Sequence, residues 1–393
     1  MTRMVKDRCP GVLTVHEAAD GGLARVRVVG GLLSGQQLEV LRVAAGELGD
    51  GKLELTSRGN VQVRGLKADG PRELSERLYD AGLLPSITHE RVRNILASPL
   101  SGLDEQSRYD VLPVAAELDR ELCARPGLAE LPGRFLFALD DGRGDLAGVQ
   151  ADVAVRALDG REAVLYVGGR EARVSWADAA QLMVSAAEVF LAEREQAWRV
   201  AELDDGGDRI LGRLGLETWS AGEADRGAVD AGEAGRGAVA GGEAGPSGVP
   251  TGPHLQVDGR TALVVTVPLG SLGAEQAEVL QHVSSGEIRL TPWRSVVLPG
   301  LENDLTERLE EVGLVTKADS PWNGVTACAG QPGCAKALAD VRADARRVTP
   351  RLPRHQRPMH WSGCERRCGK PAGEFVDVLA LGNGYVIDGE GLQ

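Results

Sequence analysis

Apolar and charged residues alternate near the start of the chain: Val26 and Val28 stand opposite Arg25 and Arg27, and Val61 and Val63 stand opposite Gln62 and Arg64. A period of two predicts strands with one buried face. Between them, "GQQLEVLRVAAGEL" spaces its apolar residues for a helix, with Val40 and Leu41 on the apolar side. The same succession returns later. "ARVRVVGGLLSGQQLEVLRVAAGELGDGKLELTSRGNVQVRGL" (24–66) is answered by "ALVVTVPLGSLGAEQAEVLQHVSSGEIRLTPWRSVVLPGL" (262–301), where Val279 and Leu280 replace Val40 and Leu41. The tails agree too, "LSERLYDAGLL" (74–84) with "LTERLEEVGLV" (305–315). Agreement over about 60 residues per copy points to a duplication. The order strand, helix, strand, turn, strand, helix predicts, for each copy, a small α+β sandwich with an antiparallel sheet.

Each copy is followed by a different kind of segment. Residues 86–200 contain a strand pair near "GRFLFALDDG" and "AVLYVGG" and a long helix in "WADAAQLMVSAAEVFLAEREQAW"; residues 319–393 contain clustered cysteines. Between the halves, "AGEADRGAVDAGEAGRGAVAGGEAGPSGVPTGP" (221–253) repeats a Gly, Ala and Glu phrase with almost no large apolar residue, too little to bury, so 201–253 is expected to be a flexible linker. The expected domains are therefore 1–85, 86–200, the linker 201–253, 254–318 and 319–393.

Composition narrows the functional classes. At 393 residues two or more domains are expected, and with only 4% aromatic residues the cores must rest on Val, Leu and Ala. A formal charge of −13 argues against a nonspecific nucleic-acid binder. The opening "MTRMVKDRCPGVLTV" has no apolar signal core, and nowhere do about 18 uncharged apolar residues run together, so no membrane partner and a cytoplasmic location are expected.

Four of the six cysteines fall in two tight pairs, Cys328-x5-Cys334 in "TACAGQPGCAKAL" and Cys364-x3-Cys368 in "HWSGCERRCGKP". In a reducing compartment such a group reads as metal ligands rather than disulfides. The x3 spacing suits two thiols on one face of a helical turn. Gly330, Pro332 and Gly333 bend the chain between the first pair and free backbone N–H groups for a negatively charged cluster, and Lys336, Arg366, Arg367 and Lys370 add positive charge that favours thiolates. Zinc is the competing occupant, although x5 with x3 suits its knuckles poorly; a [4Fe-4S] cluster fits spacing and surroundings better. Cys9 and Cys123 stand alone and read as small buried hydrophobes.

A second constellation is basic. "LTSRGNVQVRG" sets Arg58 and Arg64 around a turn-prone Gly-Asn; Arg27 lies on the neighbouring strand, "ERVRNILASPLSG" adds Arg91 and Arg93, and "LPGRFLF" adds Arg134. Guanidinium forks bind carboxylates bidentately, so together these suggest a polyanionic small ligand, while any one alone reads equally as a solvated ion-pair partner. Asn60 and Asn94 could hydrogen-bond such a ligand or shape turns.

These residues resemble the sulfite/nitrite reductase superfamily, whose members bind sirohaem beside a [4Fe-4S] cluster. Within it, "RCPGVL", "GGLLSGQQLEVL", "ELTSRGNVQVRGL", "ASPLSG", "CAGQPGCAKA" and "HWSGCERRCGKP" are most similar to the precorrin-3B synthase branch, over nearly the whole chain apart from 201–253. The resemblance implies two ferredoxin-like half-domains with antiparallel sheets plus two α/β domains, one carrying a [4Fe-4S] cluster on Cys328, Cys334, Cys364 and Cys368. It also implies an oxygen-dependent monooxygenase of cobalamin biosynthesis that hydroxylates precorrin-3A at C20 and closes a γ-lactone. The partners implied are precorrin-3A, O2 and an electron donor, either NADH through a reductase or ferredoxin. A non-haem iron is a further implied cofactor, for which His360 is a candidate by position only. Sirohaem belongs to the alternative, a sulfite or nitrite reductase. The superfamily's macrocycle-binding positions fall on Arg27, Arg58, Arg93 and Arg134, with Arg64 and Asn94 beside them. One departure separates the branches: the reductases carry Lys-x-Lys after "LPRKF"-like sequence, whereas "LPGRFLF" keeps Arg134 and has Leu136 in the second place.

Overall fold

The computed structural model describes residues 9–219, 248–355, 357–371, 373–388 and, as backbone, 390–392. The described residues are organised around four five-stranded sheets. The first contains β1 (His16–Ala18), β2 (Gly21–Val26), β4 (Lys52–Leu55) and β5 (Val61–Leu66), all antiparallel in the order β1-β2-β5-β4. The second repeats it with β11 (Gly252–Leu255), β12 (Thr261–Thr266), β14 (Glu287–Leu290) and β15 (Ser295–Leu301) in the order β11-β12-β15-β14. Each sheet is completed by a strand from the other copy: β3 (Leu32–Ser34) adds to β14, and β13 (Ser271–Gly273) adds to β4. The exchange covers an edge that each copy alone would leave with unpaired N–H and C=O groups.

The helices behind the exchanged strands show why the two copies fold alike. In α1 (Gly35–Leu48), Leu38, Leu41, Ala44 and Ala45 are buried at helical spacing while Val40 is half-buried. The matching helix of the second copy, Ala274–Val283, buries Ala277, Leu280 and Val283. Gln37 and Gln276 are equivalent. The Oε1 of Gln37 accepts from Ser34 N at 3.0 Å and its Nε2 donates to Ala81 O at 3.0 Å; that of Gln276 accepts from Gly273 N at 2.9 Å and its Nε2 donates to Val312 O at 3.0 Å. One side chain thus closes the start of its own helix and the end of the next in both copies.

The remaining two sheets also match each other. β6 (Ile95–Ala97), β7 (Phe137–Asp140) and β8 (Val153–Ala157) run parallel, and β9 (Glu162–Val167) and β10 (Arg170–Ser175) follow antiparallel. β16 (Val325–Ala327), β17 (Met359–Ser362) and β18 (Val376–Leu381) run parallel, with β19 (Gly384–Ile387) and β20 (Glu390–Leu392) antiparallel. The duplication therefore extends into segments whose sequences read as unrelated. The first of these sheets is packed by α2 (Gly70–Asp80)'s successors α3 (Leu112–Cys123) and α4 (Trp176–Glu193), around Phe135, Phe137 and Phe190.

The described residues fall into two compact units, one of 9–11, 27–31 and 84–219 with the β6–β10 sheet, and one of 12–26, 32–83 and 250–388 with the other three sheets. Residues 200–219 depart from the linker expected over 201–253. A short turn at Val200–Glu202 and α5 (Gly206–Arg213) bury Val200, Ile210 and Leu211, because this stretch still supplies an apolar face. β11 likewise begins inside the expected linker; most of the repetitive phrase, 220–247, lies outside the described residues. In chain order the later helices are α6 (Ala274–Val283), α7 (Thr306–Glu311) and α8 (Val341–Val348). Among the described residues no helix is long and apolar enough to cross a membrane.

Candidate metal centre and anion-binding residues

Cys328 lies one residue beyond β16, and Cys364 two beyond β17, so both leave the carboxyl ends of neighbouring parallel strands. Such ends concentrate loops over a sheet and are the common place for ligands in open α/β layers. Gly363 donates its N–H to Cys328 Sγ at 3.2 Å, and a Cβ at that glycine would come within 2.7 Å of Ala337 Cβ. Cys334 is reached through Gly330, whose φ of 66° is glycine territory and whose hypothetical Cβ would meet Val341 at 2.8 Å. The Cys364–Cys368 segment is a turn rather than the helical turn expected: Arg367 N donates to Cys364 O at 3.1 Å, and Arg367 itself has a φ of 47°.

The four thiols share one field. Burial raises the Cys368 pKa, and Cys328, Cys364 and Cys334 raise it further. A cationic centre would reverse that repulsion, and the N–H aimed at Cys328 Sγ suits a bound thiolate, so the donor set fits a metal cluster.

Positive charge reaches this region from residues that the local sequence does not single out. Arg342 donates from Nε to Cys328 O at 3.0 Å and from Nη2 to Glu54 Oε2 at 2.7 Å. Arg294 donates from Nη2 to Gly369 O at 3.2 Å; burial pulls its pKa down. Its φ of 60° matches that of Gly59 (61°) in the equivalent turn of the first copy, where Thr56 receives N–H groups as Thr291 does here. A left-handed arginine in place of glycine is a strained position, held by its surroundings. Of the charges expected around the cysteines, Arg366 lowers the Cys368 pKa, Arg367 is bonded to Asp377 at 2.6 Å, and Lys370 lies over the Phe375 ring at 5.8 Å. His360 is fully buried, with Nδ1 2.8 Å from Thr326 Oγ1; burial, then Arg294, pulls its pKa to about 4. Burial favours the neutral imidazole there.

The expected anion-binding residues divide between the two units. In the unit with the cysteines, Arg64 holds Asp20 through Nε and Nη2 at 2.9 Å each and Gly333 O at 2.8 Å, next to Cys334. Its fork is thus occupied in shaping the cysteine loop. Arg58 is half-buried in the Thr56–Asn60 turn. In the other unit, Arg27 donates to Arg91 O at 3.0 Å and Gly133 O at 3.5 Å, and the Asn94 amide donates to Gly133 O at 2.8 Å and Phe135 O at 3.2 Å. Two separated side chains therefore grip the same carbonyl and draw "RVRN" against "LPGRF". Arg93 is buried and bidentate on Asp119 at 2.7 Å, whereas Arg134 is exposed, its guanidinium 4.4 Å from the Trp198 ring. Leu136 is only 3% exposed, and its N–H donates to Asp152 at 2.9 Å.

Comparisons with known proteins agree with this architecture. The model of the Nitrite/Sulfite reductase ferredoxin-like half domain matches residues 16–81 and 254–312. A precorrin-3B synthase of Sinorhizobium sp is 28% identical over 98% of this chain and 83% of its own length. A ferredoxin–nitrite reductase of Synechococcus elongatus is 28% identical over 94% of this chain and 77% of its own length. The structure of the Mycobacterium tuberculosis NirA protein superposes with a TM-score of 0.68 at 22% identity, covering 93% of this chain and 73% of that one, a likeness of fold.

Proposed function

We propose that the chain, with its two copies of the nitrite and sulfite reductase half domain, is a precorrin-3B synthase of that superfamily, an oxidoreductase that hydroxylates precorrin-3A at C20 with O2 and closes the γ-lactone. The observation that carries this reading is Leu136. The superfamily reductases resembled here place a second cation at that position, where it serves binding and protonation of a small oxyanion; a buried leucine can do neither. An organic macrocycle attacked by oxygen needs no such cation.

In this reading a [4Fe-4S] cluster on Cys328, Cys334, Cys364 and Cys368 would supply single electrons. The chain's own residues do the rest. Gly363 N–H and the glycine bends hold the thiolates, and Arg342 and Arg64 fix the carbonyls of Cys328 and Gly333. Arg134 offers an exposed guanidinium beside the Trp198 ring, suited to an acetate or propionate carboxylate. Arg27, Arg93 and Asn94 hold the segment that presents Arg134. The balance is one oxygen atom into the C20 hydroxyl and one to water, with two electrons and two protons from a donor, either NADH through a reductase or ferredoxin.

A sirohaem-dependent nitrite reductase is the second reading, favoured by the equal 28% identity to the Synechococcus elongatus enzyme. The visible spectrum of anaerobically purified protein separates the two: sirohaem bands would overturn the synthase reading, and cluster absorption alone, with O2-dependent turnover of precorrin-3A, is the expected result. Cys368→Ser should lose cluster iron.

A further inference from the structure

The loops of the β6–β10 sheet that correspond to the cysteine loops carry different chemistry. β6 is followed by Ser98, and β7 runs into "LDDGRGDL", again at the carboxyl ends of neighbouring parallel strands. Asp140, Asp141 and Asp145 each bring one carboxylate oxygen to within 4.8 Å of the others. They are buried, 5%, 0% and 9% exposed. The loop is built around them. Asp140 accepts from Gly142 N at 2.9 Å, Gly144 N at 3.0 Å and Leu146 N at 3.2 Å; Asp141 is held by Arg143 at 2.8 Å, which also bonds Asp104; and Asp145 Oδ1 accepts from Ser98 Oγ at 2.7 Å.

Two buried polar atoms beside this cluster have no hydrogen-bond partner. One is Asp145 Oδ2, on a side chain otherwise fixed by Ser98, and the other is the hydroxyl of Tyr166, within electrostatic reach of Asp140. A buried oxygen without a partner is costly, and so is ionising three neighbouring buried carboxyl groups when the Arg143 that bonds Asp141 also bonds Asp104. A cation between the carboxylates would remove both costs at once.

We propose that Asp140, Asp141 and Asp145 hold a divalent cation of the oxygen-preferring class, with Asp145 Oδ2 as the ligand that the fold otherwise leaves unused. Carboxylate oxygens without thiolate or imidazole select hard ions such as Mg2+, Mn2+ or Ca2+. One half of the duplication would then carry soft sulfur ligands and the other hard oxygen ligands at corresponding loops.

The test is a Mn2+ titration of the full chain after passage over a chelating resin, followed by electron paramagnetic resonance of free Mn2+. One ion per chain should bind below about 100 μM, and Asp145→Asn should weaken binding at least 10-fold. That substitution keeps the Ser98 acceptor, and burial, then Asp140, already pushes the Asp145 pKa up to about 8, so the amide replaces a carboxyl that is mostly uncharged without the ion and the unliganded melting temperature should not fall. Mn2+ should raise the melting temperature of the parent protein and not that of the variant. Ser98→Ala, which frees the Asp145 rotamer and removes the acceptor of the Asp141 N–H, should cost a few-fold. Binding no tighter than millimolar, or unchanged in Asp145→Asn, would overturn the proposal.

Discussion

Arg342 on α8 grips Glu54 on β4 with both terminal nitrogens, Nη2 standing 2.7 Å from Oε2, while its Nε holds the carbonyl of Cys328. Glu54 also accepts from Ser271 Oγ at 2.9 Å, on the strand exchanged from the second copy. The first cysteine is thus tied, through one buried ion pair, to the edge where the two copies complete each other. Removing one partner of such a pair strands the other charge, at a cost of about 3–5 kcal/mol. Arg342→Met should lower unfolding free energy by that order in chemical denaturation. Arg342→Lys should recover only part, since an ammonium cannot make the two-pronged contact and reach Cys328 as well.

Arg64 is expected to matter through the cysteine loop. It joins Asp20 to Gly333 O, one residue before Cys334. Arg64→Met should speed iron release to a chelator several-fold, with a smaller effect from Asp20→Asn, which leaves the Gly333 bond in place. Loss kinetics equal to the parent protein's would show that the loop holds itself.

Arg134 and Arg93 should separate by readout. Arg134 is exposed and stacked on Trp198, so Arg134→Ala should raise KM for precorrin-3A about 10-fold with little change in melting temperature. Arg93→Ala leaves Asp119 without its bidentate partner and should lower the melting temperature by several degrees. Steady-state kinetics beside thermal unfolding of both variants checks the pair.

Cys123 supplies a pH dependence outside the metal centre. Burial, then Asp119, pushes its thiol up to about 11 from an ordinary value of 9.0. The folded chain keeps the proton between those values while the unfolded chain releases it, so this contribution to stability is full below pH 9 and is lost as pH rises through 11. Alkylation by iodoacetamide should therefore be slow in the native protein at pH 9 and fast once it is unfolded in urea.

Much of the fold was legible because its signals are local. The alternation of Val61 and Val63, the helical spacing of Leu38 and Leu41, and the recurrence of both in the second copy need only neighbouring residues to be read. The kinship of the β6–β10 and β16–β20 sheets was hidden, since a parallel core strand is a short apolar run without period, and such runs resemble one another everywhere. The linker boundary failed for a related reason: composition describes an average, and Ile210 with Leu211 was enough to dock one short helix.

By itself the sequence determined the duplication, the antiparallel half-domains and the four clustered thiols, each set by residues close together in the chain. Only the tertiary structure decided what the charged side chains do. It spent Arg64 and Arg93 on carboxylates of their own chain, brought Arg342 and Arg294 to the cysteine loops, and gathered Asp140, Asp141 and Asp145 in a buried loop. A guanidinium reads the same in sequence whether it meets a ligand or a carboxylate 26 or 288 residues away, because that choice is made by burial and by the partner the fold delivers.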